Sequence, residues 1–272
     1  MKIQKIKSLG LFVFSVLISI PSLFVFYWMI SVSLKTDVDS TAYPPAIFNF
    51  IPTFAAYERS IFNAPFVAYV TNSLIIAIGT VVIGNLIGLP AAYCIVRWNM
   101  RKLSVSILVT RMIPAMSFII PWFLLFKKVG LIDTYTGLIM AQLTIALPMM
   151  IWLMIGFFIK VPKDLHEAAR IDGCTEISFF WRIMVPLASQ GVAASSIIAF
   201  IYTWNNFLFP VILAGRQTKT LPVAVFSAMS FQMIDWSGLA AMATIVTLPV
   251  LIIFLFTQKY IVIGLTSGSV KG

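Results

Sequence analysis

The chain has 272 residues, of which 60% are hydrophobic and only 10% are charged. A soluble domain is about half apolar and about a quarter charged, so this composition excludes a soluble protein and predicts an integral membrane protein. The net charge of +10 does not indicate nucleic-acid binding, because the cations lie scattered at the ends of apolar runs and form no phosphate-binding stripe.

Six apolar stretches are long enough to cross a bilayer, because a helix needs about 20 apolar residues to span the hydrocarbon core. The stretches cover residues 9–34, 68–96, 104–126, 135–159, 191–213 and 237–257. Prolines in or near most of them predict kinked helices, which membranes tolerate when neighbouring groups satisfy the freed carbonyls. A basic leader precedes the first stretch, but the apolar run extends well beyond a signal-peptide core. We therefore interpret it as a retained span.

The distribution of cations predicts the orientation of these spans. The loops on the side of both termini carry twelve lysines and arginines, and the loops on the other side carry six. Since the cation-rich side faces the cytoplasm, both termini are predicted to lie there. The remaining cation, Arg111, lies within the third stretch. A side chain that reaches the interface or pairs with another helix is the favoured interpretation, and a role in transport is the alternative.

A charged segment, residues 160–190, separates the fourth and fifth stretches and is called the polar loop below. Its four acids are balanced by four lysines and arginines, whereas a loop that rests on anionic lipid carries mainly cations. The balance favours a protein partner. The loop also holds His166, the sole histidine, which its charged surroundings predict to be solvated. A single histidine excludes a histidine-rich metal site. The two cysteines, Cys94 and Cys174, do not support a disulfide framework.

Two short helices joined by a turn are predicted within the polar loop. Pro162 suits the first turn of a helix, and two acids follow it near the positive end of the helix dipole. Gly173 supplies the residue that ends this helix with a positive φ. Thr175 is a suitable N-cap for the second helix, and Pro186 marks its end.

Two other classes of membrane protein are disfavoured by the sequence. An intramembrane enzyme needs acids, histidines or nucleophiles that converge within its spans, and an ion-coupled secondary transporter needs carboxylates near the midplane. None of the nine acids lies deep in a predicted span. The sequence also lacks the G-x-x-x-x-G-K-[ST] phosphate-binding motif, so energy from ATP has to come from a partner.

The polar loop resembles the EAA loop of the permeases of ABC importers. The family pattern is E-A-A, three residues, G, nine residues and I-x-L-P. The residues that match it are Glu167, Ala168, Ala169, Gly173, Ile183 and Pro186. Val185 replaces the leucine of the pattern, which is a mild apolar change. Other segments resemble the carbohydrate branch of this family, which includes the smaller six-span permease subunit of maltose importers. These segments are residues 111–114, 130–138, 204–205 and 258–272.

The resemblance implies an all-α membrane protein of six transmembrane helices, with the type I ABC importer permease fold and a cytoplasmic helix-turn-helix coupling loop. The residues implied to couple to the ATPase are Glu167, Ala168, Ala169, Asp172, Gly173, Ile183 and Pro186. The tail residues implied to contact it are Ser269, Val270, Lys271 and Gly272. The predicted divisions are residues 1–67 with the first span, 68–257 as the five-helix permease core, and 258–272 as the cytoplasmic tail.

The implied function is ATP-driven import of a carbohydrate, with an oligosaccharide favoured, by a subunit that has no catalytic residue, metal or cofactor of its own. The implied partners are a second permease subunit, a dimer of ABC ATPases that bind ATP and Mg²⁺, an extracytoplasmic sugar-binding protein and membrane lipid, but no nucleic acid. The alternatives are a non-sugar or acidic substrate, such as glycerol phosphate, and the disfavoured stand-alone secondary transporter.

The fifth stretch holds side chains whose chemistry suits a sugar. Trp204 offers a ring for stacking, and Asn205 and Asn206 offer amides for hydrogen bonds to hydroxyl groups. The favoured alternative is that these polar groups bond neighbouring helices. By the resemblance, the loops that receive the binding protein lie near residues 35–66, 127–134 and 214–236.

Overall fold

The computed structural model of the protein describes residues 2–62, 65–227 and 234–266. Every regular element within these ranges is a helix, which confirms the all-α class. In chain order the helices are α1 (Lys2–Ser33), α2 (Asp37–Thr41), α3 (Ala55–Phe62), α4 (Phe66–Arg97), α5 (Arg101–Thr110), α6 (Ile119–Val129), α7 (Tyr135–Phe158), α8 (Asp164–Ile171), α9 (Glu176–Phe179), α10 (Val185–Leu187), α11 (Ser189–Trp204), α12 (Pro210–Leu213), α13 (Leu221–Ser227) and α14 (Trp236–Thr266). A 3₁₀ turn, Ala115–Phe118, precedes α6, and a π-helical turn, Phe180–Met184, joins α9 to α10.

Four helices are long and apolar enough to cross a membrane, namely α1, α4, α7 and α14. Two further pairs qualify only as bent spans. α5 with the segment Ala115–Val129 is bent by 89°, and Glu176–Leu187 with α11 is bent by 77°. When each bent pair counts as one span, the described residues hold six candidate spans, in agreement with the predicted number.

The third predicted stretch, residues 104–126, is wrong as a continuous helix. α5 ends at Thr110, and a turn follows before Pro114 adopts an extended backbone. Proline has no N–H for a helical bond and restricts the residue before it, so the helix stops here. The fifth stretch, residues 191–213, is also interrupted, because α11 ends after Trp204 and α12 starts anew.

By their internal contacts, the residues form two compact units. Unit 1 comprises Met1–Phe66 and Val225–Leu248, and unit 2 comprises Val67–Ala224 and Pro249–Gly272. The divisions predicted from the sequence follow the order of the chain and stay a prediction.

In unit 1, an ionic cluster ties α2 and α3 to the start of α14. Arg59 donates two hydrogen bonds of 2.6 and 2.7 Å to the Asp37 carboxylate, which also accepts one from the Ser237 hydroxyl. Asp235 lies 3.6 Å from the Arg59 guanidinium. The bonds from Arg59 and Ser237 hold the pKa of Asp37 well below its usual range. The cluster therefore fixes these elements relative to one another within unit 1.

In unit 2, glycines of α4 allow close packing against α7. A Cβ atom at Gly84 would lie 2.6 Å from the sulfur of Met150, and one at Gly88 would lie 3.3 Å from a methyl carbon of Leu147. A larger residue at either position would have to displace these side-chain ends. The glycines thus allow a close approach of the two helices, as small residues commonly do at membrane helix interfaces. α4 and α7 therefore form a firm support for the loops at their ends.

One apolar cluster of unit 2 joins the polar loop to the ends of α4 and α7. It brings together side chains of α4, α7 and α8 and of the segment from α9 to Ala188. Its buried members are Leu89, Ala92, Tyr93, Ile95, Ile151, Met154, Ile155, Phe158, Ala169, Phe179, Phe180, Met184 and Ala188. The polar loop is therefore packed onto the spans and does not hang free.

Candidate functional site

The first helix of the polar loop, α8, begins at Asp164, two residues after the proline predicted for its first turn. Pro162 precedes the helix, and its carbonyl accepts a 3.3 Å hydrogen bond from Leu165 N. Asp164 and Glu167 lie in the first turn, where the positive end of the helix dipole stabilises negative charge. The predicted helix is confirmed, and its start lies slightly later than expected.

The turn after α8 is built on Gly173, which has a φ of +78° as predicted. Its N–H donates to Arg170 O at 3.0 Å, and Cys174 N donates to Ala169 O at 2.9 Å. These bonds satisfy carbonyls at the helix end, and a glycine adopts this left-handed conformation at the lowest cost.

The second helix starts at the predicted cap and then changes its winding. The Thr175 hydroxyl accepts a 3.3 Å bond from Ser178 N. After α9 the chain forms the π-helical turn, in which Val185 N donates to Phe180 O, five residues back. Pro186 has no N–H to donate, and the chain leaves regular helix geometry just before it. The helix continues to Leu187, one residue beyond the predicted end, before the bend into α11.

The structure divides the predicted coupling residues into an exposed set and an internal one. Glu167, Ala168, Asp172, Gly173 and Pro186 are exposed, whereas Ala169 is buried and Ile183 is half-buried. No hydrogen bond or ion pair of the Glu167 side chain is found among the described residues. One face of α8 thus packs on the protein, and the other leaves a carboxylate and small residues exposed.

Two isoleucines next to this face are unusually exposed for apolar side chains. Ile171, at the end of α8, is 87% exposed, and Ile177, in α9, is 75% exposed. The two residues flank the Gly173 turn. Because covering apolar surface stabilises a complex by about 25 cal/mol per Å², this tip is suited to contact another protein.

A polar network that the sequence did not reveal holds the two helices against α4. The Glu176 carboxylate accepts a 2.8 Å hydrogen bond from the Tyr93 hydroxyl and lies 3.0 Å from His166 Nε2 and 3.4 Å from an Arg97 nitrogen. His166 is only 12% exposed, and its ring packs edge-on against Phe179 at 4.8 Å. The prediction of a solvated His166 is therefore wrong, because the turn folds it back onto Glu176.

The other predicted residues are placed as follows. Trp204 is buried and stacks on Phe200. The Asn205 amide donates to Ile201 O at 3.0 Å, and Asn206 Oδ1 accepts from Phe209 N at 3.2 Å. Both asparagines thus bond the backbone where α11 ends, and their role in a substrate pathway stays a prediction. The tail residues 269–272 lie outside the described residues.

Arg111 lies at the end of α5, where the third stretch breaks. Its guanidinium carbon is 5.7 Å from the centre of the Trp152 ring on α7. A cation over an aromatic face is an attractive contact. It provides the pairing with another helix that was one of the two favoured interpretations of this residue.

Together these features define a helical, multi-pass membrane subunit that presents an exposed helix-turn-helix beyond the ends of its spans. The family described as "Binding-protein-dependent transport system inner membrane component" matches residues 84–266. The chain belongs to this family and is therefore a permease subunit of an ABC importer.

Curated relatives cover nearly the whole chain. The chain is 37% identical to the "Probable ABC transporter permease protein y4oR" of Sinorhizobium fredii, over 92% of this chain and 90% of that protein. It is 36% identical to the "Trehalose transport system permease protein SugB" of Mycobacterium tuberculosis, over 90% and 91%. It is 32% identical to the "Trehalose/maltose transport system permease protein MalG" of Thermococcus litoralis, over 100% of both chains.

A solved structure confirms the fold. A chain of a bacterial ABC transporter involved in the import of the acidic polysaccharide alginate aligns with a TM-score of 0.77. The alignment covers 94% of this chain and 96% of that one at 21% identity. The type I importer permease fold implied by the EAA-like loop is therefore correct.

Proposed function

We propose that this permease subunit imports a carbohydrate, with an oligosaccharide favoured, and that its polar loop couples it to a cytoplasmic ATPase. The single observation that carries the coupling proposal is the division of α8 into two faces. Ala169 packs on the spans, while Glu167, Ala168 and Asp172 stay exposed. An exposed carboxylate without a partner suits an arginine or lysine of another protein, and the adjacent alanine lets the partner's backbone approach closely.

The proposed path of coupling runs through the Glu176 network. A displacement of α8 would move His166, which lies 3.0 Å from Glu176. Glu176 in turn accepts a hydrogen bond from Tyr93 near the end of α4. The apolar cluster beneath the loop joins the same elements. Closely packed cores move as units and deform little. A rigid displacement of the polar loop would therefore tilt α4 and α7 and alternate the access of the pathway between the two membrane sides.

The proposed orientation places both termini and the polar loop in the cytoplasm, on the side richer in cations. ATP and Mg²⁺ would bind to the ATPase dimer, and a second permease subunit would complete the pathway. The loops near residues 35–66, 127–134 and 214–236 would then face the binding protein on the opposite side. The tail residues Ser269, Val270, Lys271 and Gly272 are proposed to reach the ATPase as well.

The carbohydrate proposal is supported by the names of the relatives, two of which are trehalose or trehalose/maltose permeases. Binding of a sugar panel to the cognate binding protein, followed by uptake into liposomes that hold the full transporter, tests it. Saturable, ATP-dependent uptake of a carbohydrate supports the proposal. Uptake of glycerol phosphate in preference to every sugar, or uptake by this chain alone without ATP, would contradict it.

The coupling proposal is tested by ATPase assays on the purified transporter with Glu167→Lys. We expect hydrolysis stimulated by the binding protein to fall at least about tenfold, because the reversed charge repels the cation that Glu167 is proposed to meet. The control is Gln190→Lys, which adds a positive charge at an exposed position of the same loop outside the predicted coupling set. Unchanged stimulation and ATPase association in the Glu167→Lys transporter would refute the proposal.

A further inference from the structure

A cleft of about 630 Å³ opens between α8 and the adjacent ends of α4, α5 and α7. It lies where these helices leave the apolar region, next to the Glu176 network, and Ile171 at the exposed tip is absent from its lining. We call it the basic cleft. Under the orientation proposed above, on which this inference rests, the cleft lies at the cytoplasmic surface of the membrane.

The lining of the basic cleft is strongly biased toward positive charge. The lysines and arginines in the lining are Arg97, Arg101, Lys163 and Arg170, and His166 is also present. Glu167 is the one acid in the lining. The polar loop as a whole is balanced, but folding places its other acids elsewhere: Asp164 and Asp172 do not line the cleft, and the Glu176 carboxylate is bonded to Tyr93, His166 and Arg97.

Several of these cations lack an acceptor in the described part of the chain. No ion pair or hydrogen bond there engages the side chains of Arg101, Lys163 or Arg170. The Nε atom of Arg97 is buried and has no hydrogen-bond partner among the described residues. Leaving a buried donor unsatisfied is costly, and a phosphate group offers several strong acceptor oxygens to arginine and lysine.

Apolar side chains form much of the remaining wall of the cleft. Ile95, Ile155 and Phe158 are buried there, and Val96 and Ile159 are more open. Ile159 is 65% exposed, so the apolar wall continues to the surface at the end of α7. A small phosphate ion or a sugar phosphate would leave Ile159 uncovered, whereas an acyl chain would cover it.

We propose that the basic cleft binds an anionic phospholipid, with the headgroup phosphate among Arg97, Arg101 and Lys163 and the start of an acyl chain along Ile159. Basic pockets between transmembrane helices are suited to anionic headgroups. The lipid would brace α8 against α4 and α5. It would thus stabilise the position of the coupling helix.

Native mass spectrometry of the assembled transporter, with phosphatidylglycerol or phosphatidylcholine added, tests the proposal. The double variant Arg101→Gln with Lys163→Gln should bind phosphatidylglycerol about 30-fold more weakly, since each basic side chain near a membrane contributes about 1 kcal/mol and 1.4 kcal/mol is tenfold. The control, Lys160→Gln with Arg182→Gln, removes the same charge from exposed residues of the polar loop outside the cleft, and should bind as the unaltered transporter does.

An equal loss of phosphatidylglycerol binding in both double variants would overturn the proposal. So would binding of phosphatidylcholine as strong as that of phosphatidylglycerol. So would inorganic phosphate that displaces phosphatidylglycerol at millimolar concentration, because the site would then serve free phosphate. The same spectra report whether the ATPase remains bound. Loss of the ATPase from a variant that still binds lipid concerns the ATPase contact and leaves the lipid proposal standing. Loss of lipid from a complex that keeps its ATPase concerns the basic cleft alone.

Discussion

Two loops at opposite ends of α7 differ in how fully their side chains are bonded within unit 2. At the start of α7, Asp133 accepts hydrogen bonds from the backbone N–H groups of Gly215, Gln217 and Thr218 and from the Thr218 hydroxyl. At the other end, the polar loop leaves the Glu167 carboxylate without a described partner and two isoleucines exposed. The first loop is hydrogen-bonded to the loop that holds residues 215–218, whereas the second leaves polar and apolar side chains exposed.

Internal bonding and availability to a partner are thus separated within the polar loop itself. Among the described residues, Glu176 is bonded internally and Glu167 is not, although both belong to the same short segment. Substitutions in the bonded groups should therefore change stability first. Substitutions in the open groups should change the association with partners and leave stability intact.

The largest effect on stability is expected for Glu176→Ala. Removal of the carboxylate leaves Tyr93, His166 and Arg97 without their shared acceptor in a half-buried site, and we expect a loss of about 2 kcal/mol in the free energy of unfolding. Thermal unfolding of the purified transporter measures it. Asp164→Ala, which removes an exposed acid of α8, is the control and should cost less than about 1 kcal/mol. Equal effects would show that the network does not brace the loop.

A somewhat smaller loss, about 1–2 kcal/mol, is expected for Asp133→Asn, because an amide offers one acceptor oxygen where the carboxylate accepts four hydrogen bonds. Burial raises the pKa of Asp133, but the bonds from Thr218, Gln217 and Gly215 outweigh it, and the pKa is lowered. The stabilisation is therefore present above about pH 4, the ordinary pKa of an aspartate, and is lost as the pH falls below it.

The stability difference between the Asp133→Asn variant and the unaltered protein should consequently shrink between pH 5 and about pH 3. Unfolding curves at several pH values provide the measurement. A difference that stays constant across this range would show that the Asp133 charge does not hold the loop.

The smallest effect on stability, and a clear one on assembly, is expected for Ile171→Ser combined with Ile177→Ser. Both side chains are largely exposed in this subunit, so unfolding should be almost unchanged. Association with the ATPase should weaken at least about tenfold, because apolar area would no longer be covered in the complex. Leu124→Ser with Leu125→Ser, which alters exposed leucines of α6, is the control. If association with the ATPase weakened in the control variant and not in the Ile171→Ser, Ile177→Ser variant, the assignment of the tip would be contradicted.

Local sequence signals predicted the polar loop well because its geometry depends on neighbouring residues. Gly173 and Thr175 act within a few positions of themselves, and the structure places both as expected. The network around Glu176 could not be found in this way. The hydrogen bond between Glu176 and Tyr93 joins residues 83 positions apart. No local sequence pattern around either residue indicates that the other is its partner.

The spans illustrate the same limit. Hydropathy found the apolar stretches and the prolines predicted kinks, but neither showed that a helix would end before Pro114. The proline itself was the available signal, although membrane helices often continue past one. The bonds of Asn205 and Asn206 at the end of α11 likewise became visible only in three dimensions.

Site-specific crosslinking from the tip of the polar loop tests whether the loop contacts the cytoplasmic ATPase. The measurement uses Ile171→Cys in the assembled transporter, with Cys94 and Cys174 replaced by serine and a short thiol-reactive crosslinker added. We predict a crosslinked product with the ATPase that changes in yield when ATP is added. A product with the extracytoplasmic binding protein, or labelling of this cysteine only by reagents confined to the extracytoplasmic side, would contradict the account.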